Sequence, residues 1–261
     1  MPETDAGPPT TLAVVEGVAT ITLDRPDARN ALSSELVDSL GDHLAEAVAD
    51  PGVRVVVLTN AGTTFCAGAD LKAGSAGAGR HTLVDVLTAI LDSPKPVIGR
   101  IAGHCMGGGV GLAAACDISV VADDARIGFT EVRIGVAPAM ISVVCLPKLR
   151  RGDAAELFLS GERITAERAV EVGLLNRAVP RDELDTAVAE VVEKVVAGGP
   201  AALAASKRLL REVPDRSRDD AFAMTQQLSS ELFASDEAAE GMAAFREKRP
   251  ARWVPRTGSG S

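Results

Sequence analysis

The stretch Ile101-Ala102-Gly103-His104-Cys105-Met106-Gly107-Gly108-Gly109 decides how this chain is read. It follows an extended segment, Pro96-Val97-Ile98-Gly99-Arg100, and runs into Val110-Gly111-Leu112-Ala113-Ala114-Ala115-Cys116-Asp117, which reads as a short apolar helix. Strand, glycines and helix in that order bring bare backbone N–H groups up to an anionic or carbonyl oxygen. The glycines allow close approach, and the helix start supplies unpaired donors and the positive end of the dipole. A second small-residue loop, Phe65-Cys66-Ala67-Gly68-Ala69-Asp70-Leu71, follows another strand and offers a partner donor. Two such loops converging on one oxygen make an oxyanion hole.

Outward from these loops the pattern alternates between strand and helix. Residues 1–10 read as a loose leader, acidic and proline-bearing, unlike a secretory signal. Leu12–Glu16 and Val18–Leu23 flank Gly17 as a hairpin. Ser33 or Ser34 caps a helix running to about Asp50, with Leu36, Leu40, Leu44, Ala47 and Val48 on one face, and Pro51-Gly52 stops it. Val53–Thr59 is a buried parallel strand. The glycine-rich stretch Ala73–Gly79 reads as a mobile loop beside the site, followed by a helix from Thr82 to Leu91. Ile118–Ala122 returns to strand, and a short helix starts at Thr165 and ends at Gly173. Beyond about Asp182 the pattern is helical, with breaks at Gly198-Gly199-Pro200 and near Pro214. An α/β core spanning 1–195 with a helical region over 196–261 follows. The apolar faces of that region are too small to form a core alone and are expected to pack on a neighbouring subunit.

Composition narrows the function classes. The chain has 261 residues, 46% hydrophobic but only 3% aromatic, so its core is built from Ala, Val, Leu and Ile. A net charge of -9 argues against a nucleic-acid or anionic-membrane surface. No apolar run is long enough to span a bilayer. The four cysteines, Cys66, Cys105, Cys116 and Cys145, form no Cys-x-x-Cys pair and read as buried free thiols in a reducing compartment. A soluble, cytoplasmic protein is expected. No Cys/His cluster or carboxylate array suggests a metal, and no nucleotide-triphosphate phosphate loop is present.

The two loops, in this order, resemble those of the crotonase superfamily, the enoyl-CoA hydratase/isomerase family. The resemblance extends through Asp24-Arg25-Pro26, Arg29-Asn30-Ala31-Leu32, Lys95-Pro96-Val97-Ile98, Ala115-Cys116-Asp117-Ile118, Glu131-Val132-Arg133-Ile134-Gly135, Leu159-Ser160-Gly161-Glu162 and Phe245–Pro250. Glycine runs alone are weak signals; the joint order of these segments is specific. The resemblance implies a ClpP-like spiral of ββα units with a C-terminal helical trimerisation region, and a homotrimer or dimer of trimers. It implies an acyl-CoA thioester as substrate, with no separate cofactor because coenzyme A is part of that substrate. Carried over by position, the backbone N–H groups of Ala69 and Gly108 hold the thioester oxygen. Arg25, Ala28, Ala67, Asp70, Lys72, Met140, Phe245 and Lys248 fall at substrate-binding positions, Lys248 acting from a neighbouring subunit.

The resemblance also exposes a departure. Of the two glutamates that hold the attacking water in the family's hydratases, one position is Gly111 and the other is Glu131. The glycine-rich segment of many hydratases is replaced by Pro138-Ala139-Met140-Ile141-Ser142, which reshapes the acyl pocket. A lone carboxylate facing an oxyanion hole suits proton transfer next to a thioester, as in the family's enoyl-CoA isomerases, and partial burial raises its pKa toward neutrality. Three alternatives stay open: slow hydration by Glu131 alone, a non-catalytic acyl-CoA binder, and nucleophilic hydrolysis through Cys105, Ser142 or a histidine. Against the last, His43, His81 and His104 occupy no recognisable triad motif.

Overall fold

The computed structural model describes residues 7–70 and 79–254. Its first elements are the hairpin β1 (Thr10–Val15) and β2 (Val18–Leu23), then α1 (Ser34–Ala49) and β3 (Val55–Asn60). Helix α1 starts where Ser33 accepts the Leu36 N–H, one of the donors a helix start leaves without a backbone partner. Its Leu36, Leu40 and Leu44 are buried at helical spacing. Strand β4 (Thr64–Cys66) precedes α2 (Leu83–Asp92), which Thr82 and Asp85 start with a reciprocal capping box.

The pattern then repeats. β5 (Val97–Ile101) and β6 (His104–Met106) lead into α3 (Gly108–Ala115), and β7 (Ile118–Ala122) and β8 (Arg126–Gly128) into α4 (Ala139–Cys145). From β3 to β8 each turn gives its first strand to one sheet and its second to another. The six-stranded sheet has the order β1-β2-β3-β5-β7-β10, with β10 at Arg177–Val179. The four-stranded sheet has the order β4-β6-β8-β9, with β9 at Arg163–Thr165. Every pairing is parallel except β1–β2 and β8–β9. The expected ββα spiral is therefore the architecture of the core.

β3 shows why the large sheet is covered on both faces. All six of its residues are buried. Val56 and Leu58 join a large cluster with α1, α2 and α3, while Val55 and Val57 join a second one with Leu184, Val188 and Val191. The latter three lie on α7 (Leu184–Val196), which follows α5 (Arg151–Ser160) and α6 (Ala166–Glu171). Side chains alternate across a strand, so a strand buried on both faces needs an unbroken apolar run.

The chain ends in α8 (Pro200–Glu212), α9 (Arg218–Phe233) and α10 (Asp236–Glu247). Polar anchors fasten these helices. Lys207 on α8 is 9% exposed, pairs with Asp117 at 2.8 Å and donates to the Ile90 carbonyl at the end of α2. Arg54, just before β3, donates to the Gly198 and Trp253 carbonyls. The break between α9 and α10 at Ala234-Ser235, helices α4 and α5, and the short strands β4, β6, β8, β9 and β10 are features the sequence pattern did not single out.

Candidate active site

Three neighbouring strands of the small sheet deliver the site. β4, β6 and β8 run parallel, with Cys66 opposite Cys105 and Met106 opposite Gly128. Their C-terminal ends therefore open side by side onto Ala67-Gly68-Ala69, Gly107-Gly108 and Thr130-Glu131, the edge at which parallel sheets present ligand-binding loops. Gly107 N–H donates to the Gly128 carbonyl at 3.0 Å, carrying the pairing one residue past the strands.

The first two loops meet. A Cβ built on Gly68 would lie 3.0 Å from the Met106 carbonyl oxygen and 3.5 Å from Gly108 N, so the backbones touch at this point. The Gly68 carbonyl accepts the Leu32 N–H, and Leu32 bridges in parallel to Ala69. Among the described residues the Ala69 and Gly108 N–H groups have no hydrogen-bond partner. Gly107 caps α3 at φ 52, a left-handed conformation that favours glycine, and it admits a neighbour as well: a Cβ there would stand 3.2 Å from Glu131 Oε1.

Glu131 sits in a 3-10 turn, Thr130–Ile134, directly after β8. That turn is clamped from α5. Phe129 is 1% exposed and its ring lies 4.3 Å from the Phe158 ring, while Val132 and Arg133 pack over Gly161 at the α5 C-cap. Glu131 Oε2 is buried and has no hydrogen-bond partner, the one such side-chain atom among the described residues. Burial pushes the Glu131 carboxyl above the usual range, opposed by a backbone hydrogen bond within its own residue. No ion pair joins it to Arg133 among the described residues.

The loop that carries Arg25 and Ala28 is stitched to the same edge. Pro26–Ala28 form a 3-10 turn, and Arg29 and Asn30 follow at φ 54 and 50. Asn30 is fully buried: it accepts the Arg25 N–H at 2.7 Å and donates to the Ala61 and Thr64 carbonyls. Ala67 N–H donates to the Arg29 carbonyl at 3.0 Å. Arg25, Ala28, Ala67 and Ala69 thus belong to one stitched pair of loops. The positioning role of Asn30 was missed in sequence; its signal was an asparagine within a turn between apolar segments.

The other expected binding residues fall in different places. Asp70 closes the first described segment, half-buried beyond Ala69. Lys72 and most of the glycine-rich loop expected to be mobile lie outside the described residues. Met140 is 53% exposed on α4, whereas its neighbour Ile141 is buried. Phe245 is 86% exposed on α10, and Lys248 caps that helix at φ 54. The anchors of this terminal segment run elsewhere, from Arg249 to Glu240 and from Trp253 Nε1 to the Ala197 carbonyl.

The residues of the hydrolytic alternative are poorly placed. All four thiols are buried and free, and burial pushes Cys66, Cys116 and Cys145 up to about 12 and Cys105 well above its usual value. Such thiols are protonated at neutral pH and unreactive. His104 Nδ1 accepts the Arg126 N–H, and Ser142 Oγ donates back to the Ala139 carbonyl. Among the described residues no group of three or more His, Cys, Asp or Glu is placed to hold a metal ion, and no helix is long and apolar enough to cross a membrane.

Known proteins resemble this chain in sequence and fold. The family model for enoyl-CoA hydratase/isomerase matches residues 14–256. Enoyl-CoA hydratase EchA19 of Mycobacterium tuberculosis is 35% identical over 242 residues, covering 88% of this chain and 90% of that protein. Carnitinyl-CoA dehydratase of Proteus mirabilis is 33% identical, covering 92% and 95%. Among solved structures, an enoyl-CoA hydratase of Mycobacterium smegmatis superposes with a TM-score of 0.88 at 34% identity, covering 95% of this chain and 99% of that one. With a family match across nearly its whole length and the fold to go with it, the chain belongs to the enoyl-CoA hydratase/isomerase family of enzymes.

Proposed function

We propose that this enzyme shifts the double bond of an enoyl-CoA, converting a 3-enoyl thioester to its conjugated 2-enoyl isomer with Glu131 as the only acid–base group. The observation that carries the reading is the buried, unpartnered Oε2 of Glu131 beside Gly107, on a helix whose position 111 has no side chain. The free N–H groups of Ala69 and Gly108 polarise the thioester carbonyl. Glu131 takes a proton from C2, and the negative charge passes onto the carbonyl oxygen held by those amides. The carboxyl then returns the proton at C4, and the double bond moves from C3–C4 to C2–C3. Donors aimed at such an oxyanion are worth about 3–4 kcal/mol each. A carboxyl raised by burial is matched to taking up and giving back a proton near neutral pH.

In the same reading Arg25, Ala28, Ala67 and Asp70 serve the CoA and acyl portions, with Lys72 and Met140 beside them. Phe245 and Lys248 reach the substrate of an adjacent subunit in a homotrimer or dimer of trimers, built through residues 196–261. The enzyme works in the cytoplasm and needs no cofactor beyond the CoA of its substrate.

The test is incubation of purified protein with panels of 3-enoyl- and 2-enoyl-CoA, wild type against Glu131→Gln. Isomerisation that falls by about 10²–10⁴-fold in the variant supports the reading. Equal activity in both proteins removes Glu131 from the mechanism, and tight binding without product favours a non-catalytic acyl-CoA binder.

A further inference from the structure

The space beside Gly111 is filled from another helix. A Cβ built on Gly111 would lie 2.3 Å from Ile141 Cγ2 and 2.9 Å from Ile141 Cβ, closer than real side chains approach. Ile141 is 2% exposed, so its side chain is committed to this contact, while Met140 beside it on α4 stays 53% exposed. Gly111 stands one turn beyond Gly107, to whose carbonyl its N–H donates at 3.4 Å. Gly107 is the residue against which Glu131 rests. Glu131 and Ile141 thus pack at the N-cap and in the first turn of the same short helix.

We infer that Ile141 is a specificity-determining residue, filling the volume that a second water-holding side chain at position 111 would need and so turning the site from water addition to proton transfer. The inference rests on the isomerase reading of Glu131. Addition of water to a 2-enoyl thioester forms a C3–O bond, delivers one water proton to the base and places a proton on C2. A water held for that attack needs about 2–4 polar partners. Glu131 supplies one, and an isoleucine methyl supplies none. Isomerisation breaks C2–H and makes C4–H with no water taking part, so the apolar filler costs it nothing. The pair is reciprocal: position 111 is bare, and Ile141 occupies what it leaves.

The experiment compares wild type, Gly111→Glu, Ile141→Ala and the pair Gly111→Glu/Ile141→Gly. Hydration of 2-enoyl-CoA, isomerisation of 3-enoyl-CoA and the thermal unfolding midpoint are measured on each. Gly111→Glu alone is expected to lower the midpoint without gaining hydration, because its side chain meets Ile141. The pair is expected to regain the midpoint and raise the hydration-to-isomerisation ratio by about tenfold or more. Hydration gained equally by Gly111→Glu alone, or a folded pair with an unchanged ratio, overturns the inference.

Should the glutamate variants fail to fold, two gentler substitutions decide it. Ile141→Ser empties part of the volume beside Gly111 and adds a hydroxyl as a second polar partner for the water, and is expected to raise the ratio. Gly111→Ala is expected to lower the midpoint in wild type but not in the Ile141→Ala background; equal losses in both backgrounds overturn the packing on which the inference stands. A wild type that does not isomerise sinks the isomerase reading and this inference with it. A wild type that isomerises through Glu131, with a ratio indifferent to Ile141, sinks this inference alone.

Discussion

Glu131 is a residue whose placement opposes folding and, in the proposed reaction, serves chemistry. Its buried Oε2 lacks a partner and burial raises its pKa, so the folded chain holds that proton more tightly than the unfolded chain does. Between the ordinary carboxylate value of about 4.3 and the raised folded value, the native state binds more protons than the unfolded state. Stability therefore falls as pH rises through that window, and the full penalty persists above it. Glu131→Gln removes the ionisation. It is expected to cut activity by about 10²–10⁴-fold while raising the thermal midpoint by a few degrees in neutral and alkaline buffer, the gain vanishing below the ordinary carboxylate value. Calorimetry across pH checks this; a variant less stable than wild type above neutrality contradicts the burial argument. In the proposed reaction the same shift governs the rate profile. The base must be ionised to take the C2 proton, so kcat/KM is expected to fall on the acid side through a pKa above about 4.3. An acid limb at or below that value would place the working base elsewhere.

Elements were legible in the sequence in proportion to their length and periodicity. The α1 face, its serine cap, the unbroken apolar run of β3 and the stop at Gly173 each follow from a spacing rule, and each stands close to where that rule puts it. β4, β6 and β8 did not show, because a strand of three residues has no period to read. Their invisibility hid the small sheet, although the loops it aligns were readable from their glycines. Helix α4 was read only as a replaced glycine segment: the sequence indicated that Met140 and Ile141 add bulk, and the fold decides which of them turns inward. The anchors of the C-terminal helices were equally silent, since Lys207 reads as a surface charge until Asp117 and the end of α2 are brought to it. Lys207→Ala strips a buried partner from Asp117 and from the Ile90 carbonyl, and is expected to cost about 3 kcal/mol. Denaturant titration measures the loss. Faster hydrogen exchange confined to α8 and the end of α2 would locate it, and an unchanged midpoint would show that the anchor contributes nothing.

The whole molecule divides its apolar surface unevenly. The central strands β3 and β5 bury all their large aliphatic side chains, whereas the terminal helices bury few residues of any kind: Lys207 on α8, none on α9, and Glu240 and Ala244 on α10. Leu210, Phe222, Phe233 and Phe245 stay between 68% and 86% exposed on these helices. A hollow of ≈ 210 Å³ between α8 and α9 is lined by Leu209, Leu228, Leu232 and Phe233. A chain with few aromatics that leaves three phenylalanines open on these helices concentrates exposed apolar surface there, the kind of surface that marks an interaction site. The proposed homotrimer covers it by setting these helices against a second copy. Light scattering is then expected to give about three or six times the 26.9 kDa of one chain. Phe233→Glu places a charge in that contact and is expected to drop the mass to a single chain while leaving far-UV circular dichroism intact. Because Phe245 and Lys248 are proposed to reach the neighbour's substrate, dissociation should raise KM for the CoA thioester more than it lowers kcat. A monomeric wild type at micromolar concentration, or a dissociated variant with unchanged KM, would separate the terminal helices from substrate binding altogether.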